Sequence, residues 1–142
     1  MTGHADSTRT AVDLLDAVAV GFRAQADAAL RAHDLSYDQW RVLERLALAG
    51  PRAMSELRSE ARLTGPTLTR VVDRLAETAL VYRDVDPADR RRVVVHLSDR
   101  GRRLYDALRP DLGRLVRDAL APLSPEEAQT LGRLLERLST HR

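Results

Sequence analysis

Residues 64–78 read TGPTLTRVVDRLAET and combine a helix start signal with the apolar spacing of a helix. Thr64 is suited to capping a helix, and a proline such as Pro66 is tolerated in the first turn. Apolar side chains then recur at i, i+3, i+4 and i+7, the spacing of one helical face: Leu68, Val71, Val72 and Leu75. We therefore predict a helix over residues 65–78 that buries one face in a core.

The opposite face of this helix carries hydroxyl groups and cations. Threonine hydroxyls suit phosphate oxygens, and the planar fork of arginine matches both phosphates and guanine edges. The candidate DNA-contacting residues on and beside that face are Thr64, Pro66, Thr67, Thr69, Arg70 and Arg74. For Arg70 or Arg74 taken alone, a solvated face with arginine–acid pairs is the favoured interpretation.

The segments on either side of the helix add to the pattern. A short helix over Met54–Ala61 precedes it, and two β-rich runs, 80–85 and 92–97, follow it with a long charged tip at residues 86–91 between them. Three adjacent arginines in such a tip repel one another unless an anion receives them. Helix, break, helix and charged hairpin in this order predict a winged helix-turn-helix, with Asp89, Arg90 and Arg91 as candidate DNA-contacting residues of the wing.

Amphipathic patterns predict further helices around this lobe. They cover residues 11–31, 36–49, 98–121 and 124 onward, and Ser36 and Ser124 each have Gln or Glu three residues later, as in a capping box. The first ten residues are expected to lie outside the first helix. The fold class is mainly α with a small β-hairpin wing, in a single domain of 142 residues.

Composition and charge narrow the functional classes. No cysteine is present, so disulfides and thiol chemistry are excluded. The net charge is only +2, but residues 52–103 hold twelve arginines against eight acidic residues, which favours an anionic partner for that segment. All 23 basic residues are arginine, which we attribute to a GC-rich genome. No apolar run is long enough for a bilayer and no signal peptide is evident, so we expect no membrane partner and a cytoplasmic protein.

The sequence resembles the MarR family of transcriptional regulators. The resemblance is tightest over residues 63–75, the run LVYR at 80–83, the wing motif DPADRR at 86–91 and LSDRG at 97–101. It implies a ligand-responsive repressor that binds double-stranded DNA as a homodimer. A winged helix-turn-helix lobe at 52–103 would then accompany a helical dimerisation lobe at 11–35 and 104–142, whose leucines an isolated lobe could not bury.

The resemblance also assigns roles to single residues. It implies that Asp89 braces Arg91 through an ion pair and that Arg91 enters the minor groove. It implies a small aromatic or anionic effector between the two lobes, for which His33, Tyr37 and Trp40 are candidate ligand-binding residues, although Trp40 on an apolar stripe is more often core. The sequence departs from the family at Ala79, where glycine is usual after the recognition helix. If that position is left-handed, alanine costs on the order of 1 kcal/mol.

Other functional classes have weaker support. The histidines, His4, His33, His96 and His141, have no zinc-site spacing, and no nucleophile elbow, phosphate loop or dinucleotide fingerprint occurs. We therefore expect no enzyme, cofactor or metal. Two alternatives stay open: a metal-sensing variant whose histidines cluster on folding, and a protein-binding antirepressor that keeps the fold without binding DNA.

Overall fold

A long first helix is followed by a lobe of short helices and strands and then by two further helices. The computed structural model describes the backbone of residues 3–141 and the side chains of residues 7–141. The elements are α1 (Gly3–Leu30), a 3-10 turn (Arg31–His33), α2 (Tyr37–Ala49), β1 (Arg52–Ala53), α3 (Met54–Ala61), α4 (Gly65–Glu77), β2 (Val81–Asp86), β3 (Asp89–Leu97), α5 (Asp99–Leu120) and α6 (Pro125–Ser139).

Helices α2, α4, α5 and α6 begin where the sequence predicts, because each of these four has a capping side chain. Thr64 and Ser98 accept backbone N–H groups of the first turns of α4 and α5. Ser36 and Ser124 form reciprocal capping boxes, with Gln39 and Glu127 respectively. These bonds satisfy N–H groups that have no partner inside the helix and so fix its first residue.

Helix α1 is longer than predicted. It begins at Gly3 instead of near residue 11, so the expectation that the first ten residues lie outside the helix is wrong for residues 3–10. No proline interrupts that segment, and its residues after Gly3 are all compatible with a helix. Each added residue contributes a further hydrogen bond to a helix that is already nucleated, so a polar extension can form without an apolar stripe.

The core is formed by one face of each helix from α1 to α5 and by the inner side of the sheet. The four apolar residues that define the predicted face of α4 are all buried, and Leu75 and Val72 are fully inaccessible. Leu57 of α3 and Val95 of β3 are also inaccessible, as are Leu43 of α2 and Leu30 of α1. One continuous cluster therefore holds α4 against the rest of the chain.

The sheet has three antiparallel strands in the order β1-β3-β2, so the wing hairpin has an additional strand. Strand β1 has only two residues, Arg52 and Ala53, paired with Val95 and Val94, and is too short to give a sequence pattern. The predicted long tip at residues 86–91 is wrong. Only Pro87 and Ala88 form the turn, since Asp86 pairs with Asp89 across a register shift and β3 already begins there.

The first and last helices are among the elements that keep apolar side chains on the surface of the single chain. No residue of α6 is buried, and Leu138 is 62% exposed. On α1, Val12, Val18 and Val20 are 59–68% exposed. Within residues 3–141, no helix has both the length and the apolar character needed to cross a bilayer.

Candidate nucleic-acid interface

The outer face of α4 combines hydroxyl groups with arginines. Thr64 caps the helix and also donates from its hydroxyl to Thr67 Oγ1 at 2.9 Å, and Thr69 donates to the carbonyl of Gly65 at 3.1 Å. Apart from half-buried Thr67, the residues predicted for this face are exposed: Thr64, Pro66, Thr69, Arg70 and Arg74. The helix therefore presents all six predicted residues at or near one accessible surface.

Arg70 and Arg74 have no acidic partner. Among the residues that the structure describes, neither guanidinium lies within 4.0 Å of a carboxylate. The alternative interpretation, a face of arginine–acid pairs, is therefore not supported for these two side chains. Their charge is available to an external anion.

The acid on the same helix is paired with the wing instead. Asp73 forms an ion pair with Arg83 of β2, with both side chains partly exposed. This contact joins α4, the recognition helix of the predicted helix-turn-helix, to β2, the first strand of the wing, across the turn between them. No sequence pattern indicates this pairing, because a contact between residues ten apart depends on the turn geometry.

The three adjacent arginines of the wing divide into two kinds. Arg92 forms an ion pair with Glu56 of α3 and lies 3.7 Å from Asp86. Arg90 and Arg91 are exposed, and no carboxylate of the described chain lies within 4.0 Å of either guanidinium. The three arginines are adjacent in sequence, but in the structure Arg92 holds the wing and the other two remain accessible.

Asp89 contacts Arg91 through the backbone. Its carboxylate accepts the N–H of Arg91 at 3.0 Å, and no ion pair joins the two side chains in the described structure. This differs from the side-chain ion pair that the family resemblance implies. A carboxylate at the start of β3 that accepts the next-but-one N–H restrains the backbone that carries the Arg91 side chain.

The end of α4 is closed by an alanine in left-handed conformation. Ala79 has φ +59°, its N–H bonds to the carbonyl of Ala76 at 3.0 Å, and the N–H of Leu80 bonds to that of Leu75 at 2.9 Å. These two bonds form a Schellman motif, in which glycine is the usual left-handed residue. Position 79 is therefore left-handed, and the expected cost of an alanine there applies. The strain lies where α4 turns toward the wing.

A cavity of about 1,090 Å³ lies beside the recognition helix. It is bounded by the segment between α1 and α2, by α4 and by the first half of α5. His33, one of the three candidate effector-binding residues, lines it. Tyr37 and Trp40 do not line it. Its remaining charged lining residues are Arg31, Asp34, Arg70, Arg74, Glu77, Arg100 and Arg103.

Tyr37 and Trp40 belong to packing contacts instead. Trp40 is 3% exposed and stacks on Tyr105 with ring centres 5.1 Å apart. Tyr37 meets Phe22 edge to face at 5.6 Å, and burial raises the pKa of its phenol. Among the described side chains, no three histidine, aspartate or glutamate groups lie close enough to hold a metal ion. The side chain of His4, which belongs to the metal-sensing alternative, lies outside the described residues.

Comparison with known proteins agrees with this geometry. The sequence model of the MarR family matches residues 33–92. The transcriptional regulator FarR of Neisseria gonorrhoeae is 32% identical over 113 residues, which cover 69% of this chain and 77% of FarR. The chain belongs to the MarR family. It is therefore similar to transcriptional regulators of the helix-turn-helix type.

Two solved MarR-type structures resemble the chain over most of its length. A mutant MarR from E. coli in complex with operator DNA has a TM-score of 0.80 and 26% identity, covering 89% of this chain and 91% of that one. The Bordetella bronchiseptica regulator BpsR has a TM-score of 0.83 and 25% identity, covering 92% and 98%. DNA binding by BpsR is regulated by 6-hydroxynicotinic acid.

Proposed function

We propose that this MarR-family chain is a homodimeric repressor that binds a pseudo-palindromic operator. Helix α4 enters the major groove with Arg70 and Arg74, and the wing directs Arg91 into the adjacent minor groove. The observation that carries the proposal is the pair of arginines without acidic partners on an exposed helix, beside a wing that Arg83 joins to the same helix. The DNA complex formed by the related MarR supports the same mode of binding.

The second half of the proposal concerns the dimer. The apolar surfaces of α1 and α6 belong to the segments 11–35 and 104–142, which we propose as the dimerisation lobe beside the DNA-binding lobe at 52–103. Exposed apolar area of this kind favours a symmetric contact with a second copy. A two-fold dimer predicts half-sites about one helical turn, roughly 10 base pairs, apart centre to centre. Sedimentation showing a stable, folded monomer at micromolar concentration would contradict this half of the proposal.

The effector is proposed to be a small aromatic or anionic molecule bound in the cavity beside α4. Two observations support it: the cavity lies between the proposed lobes, and a structural relative responds to an aromatic acid. Tyr37 and Trp40 lie outside the cavity lining, so His33 is the member of the predicted ligand-binding set that this proposal retains.

A salt series tests DNA binding directly. The operator is first identified by selecting the fragments of the source genome that the protein binds. The affinity for that operator and for a random duplex is then measured at several salt concentrations. A repressor that neutralises phosphates releases counterions, so log K falls steeply with log salt on both duplexes. Arg70→Ala should reduce the preference for operator over random DNA, since an arginine–guanine pair contributes about 1–3 kcal/mol of discrimination. A protein-binding antirepressor would show no salt-dependent DNA binding.

A further inference from the structure

One side of α4 faces the cavity. Thr67, Arg70, Arg74 and Glu77 follow each other at intervals of three and four residues, and all four line the cavity wall. Arg70 and Arg74 are also the two side chains proposed to contact DNA. The same two exposed arginines therefore border both the outer face of α4 and this half-open cavity.

The opposite wall is also basic. Helix α5 contributes Arg100 and Arg103, and the segment after α1 contributes Arg31, while Asp34 and Glu77 are the acidic residues of the lining. Five arginines against two acids give a positive cavity. Apolar side chains line the space between these charges: Leu35, Val71, Leu80, Leu104 and Ala107.

We infer that this cavity binds a small dianion with an apolar body, and that the dianion excludes DNA by occupying Arg70 and Arg74 itself. The inference rests on the proposed function, because it specifies the effector of that repressor and its mode of action. Carboxylates match the arginine fork through two parallel hydrogen bonds, and cations on two different walls favour two anionic groups on one ligand. Leu104 and Val71 would contact the apolar body between them.

Direct competition differs measurably from an effect on the spacing of the two recognition helices. If ligand and DNA need the same arginines, they cannot be bound together, so the apparent Kd for DNA rises in proportion to ligand concentration without limit. If the ligand acts only through conformation, a ternary complex forms and the apparent Kd reaches a plateau, typically about 5 to 150-fold higher.

Isophthalate is a suitable probe, because it carries two carboxylates on one aromatic ring. Anisotropy of a labelled operator duplex gives the apparent Kd at rising isophthalate concentrations, with chloride adjusted to constant ionic strength and the monoanion benzoate as a control. We expect a proportional rise with isophthalate and a much weaker effect of benzoate. A plateau, or equal effects of the two compounds, would overturn the inference.

Calorimetry on the free protein separates this inference from the proposed function. We expect isophthalate to bind the protein alone and to give no binding heat when the protein is saturated with operator. Operator binding is measured first, without isophthalate. If the protein does not bind the operator, the proposed function is refuted, and isophthalate binding to the free protein can still be measured. Absence of isophthalate binding, with operator binding intact, would refute only the inference about the cavity.

Two arginine variants of α5 form a matched pair. Arg103 lines the cavity, whereas Arg109 is exposed on the same helix and does not line it. Arg103→Ala should weaken isophthalate binding by roughly tenfold or more, the usual effect of losing a hydrogen bond to a charged group, while operator affinity stays unchanged. Arg109→Ala should leave both unchanged. Equal effects of the two variants on isophthalate would show that general charge, and not the cavity, attracts the dianion.

Discussion

The hydroxyl group of Ser98 donates a hydrogen bond to the carbonyl of Ala79 at 2.6 Å and accepts the N–H of Gly101 at 3.0 Å. One side chain thus joins the end of the recognition helix to the start of α5, which leads into the proposed dimerisation lobe. The backbone N–H of Ser98 also bonds to the carbonyl of Leu80 at 3.1 Å. The direction of α4 relative to α5 is therefore set at a junction of three hydrogen bonds.

Ala79→Gly should stabilise the protein. At φ +59° the alanine side chain crowds the backbone, and glycine relieves this by about 1 kcal/mol. Urea denaturation at fixed protomer concentration gives the change in the free energy of unfolding. Ala24→Gly is the control, because Ala24 is exposed within α1 and glycine there should cost about 1 kcal/mol. If both variants lose stability, the left-handed conformation at Ala79 is refuted.

Gly101→Ala should be strongly destabilising. A Cβ at Gly101 would lie 2.1 Å from the carbonyl oxygen of Leu80 and 2.7 Å from Leu97 Cδ1, so backbone would have to move. Overpacking of this kind costs about 1–3 kcal/mol or more. Gly113→Ala on the same helix is the control, because its Cβ would meet only the mobile end of Arg117 at 3.4 Å. We expect Gly113→Ala to gain up to about 1 kcal/mol. Equal unfolding midpoints for the two variants would contradict the close approach at Gly101.

Features that depend on residues close together in the chain could be predicted from the sequence, whereas features that depend on distant residues could not. The caps at Ser36 and Ser124 and the buried face of α4 depend on residues three or four apart, so the sequence contains them directly. The pairing of Arg92 with Glu56 joins residues 36 apart and depends on the completed sheet. The cavity lining from α5 likewise exists only in the folded chain, so the sequence suggested His33 but not Arg103 for that site.

Glu56→Gln should weaken DNA binding although it removes a negative charge. Charge removal alone would strengthen binding to phosphates, whereas loss of the ion pair with Arg92 lets the wing move away from α3. An exposed pair contributes about 0.2–1 kcal/mol, so we expect a roughly 1.5 to 5-fold higher Kd for the operator. Asp84→Asn is the control, since Asp84 is an exposed wing acid that bonds only to the N–H of Val85. Stronger binding by both variants would rule out a positioning role for Glu56.

The pH dependence of α6 follows from Glu127. Its carboxylate accepts the N–H of Ser124 at 3.0 Å, and this bond lowers the pKa of Glu127. A carboxyl group with a lowered folded-state pKa stabilises the fold above its unfolded pKa, and this contribution is lost as pH falls through the folded value. Glu127→Ala should therefore reduce stability at neutral pH and approach the parent in acid. Glu126→Ala, at the neighbouring residue, should lose less stability relative to the parent at neutral pH. If the loss of stability of Glu127→Ala persists in acid, the stabilising role of the Glu127 carboxylate is contradicted.

Asp89 can support Arg91 through a hydrogen bond to its backbone or through an ion pair with its side chain. Substitutions at Asp89 separate these two roles. Arg91→Ala should lower affinity for operator and random DNA alike and reduce the salt slope by about one, because it removes one positive charge from the proposed minor-groove contact. Asp89→Ala should also weaken binding, since it removes the acceptor that fixes the Arg91 backbone. Asp89→Asn keeps an oxygen for that N–H and loses only the charge, so it should bind DNA as well as the parent or better. If a side-chain ion pair supported Arg91 instead, Asp89→Asn would weaken DNA binding as much as Asp89→Ala. Circular dichroism checks the fold of each variant, and weak binding by Asp89→Asn would show that the charge, and not the backbone bond, supports the wing.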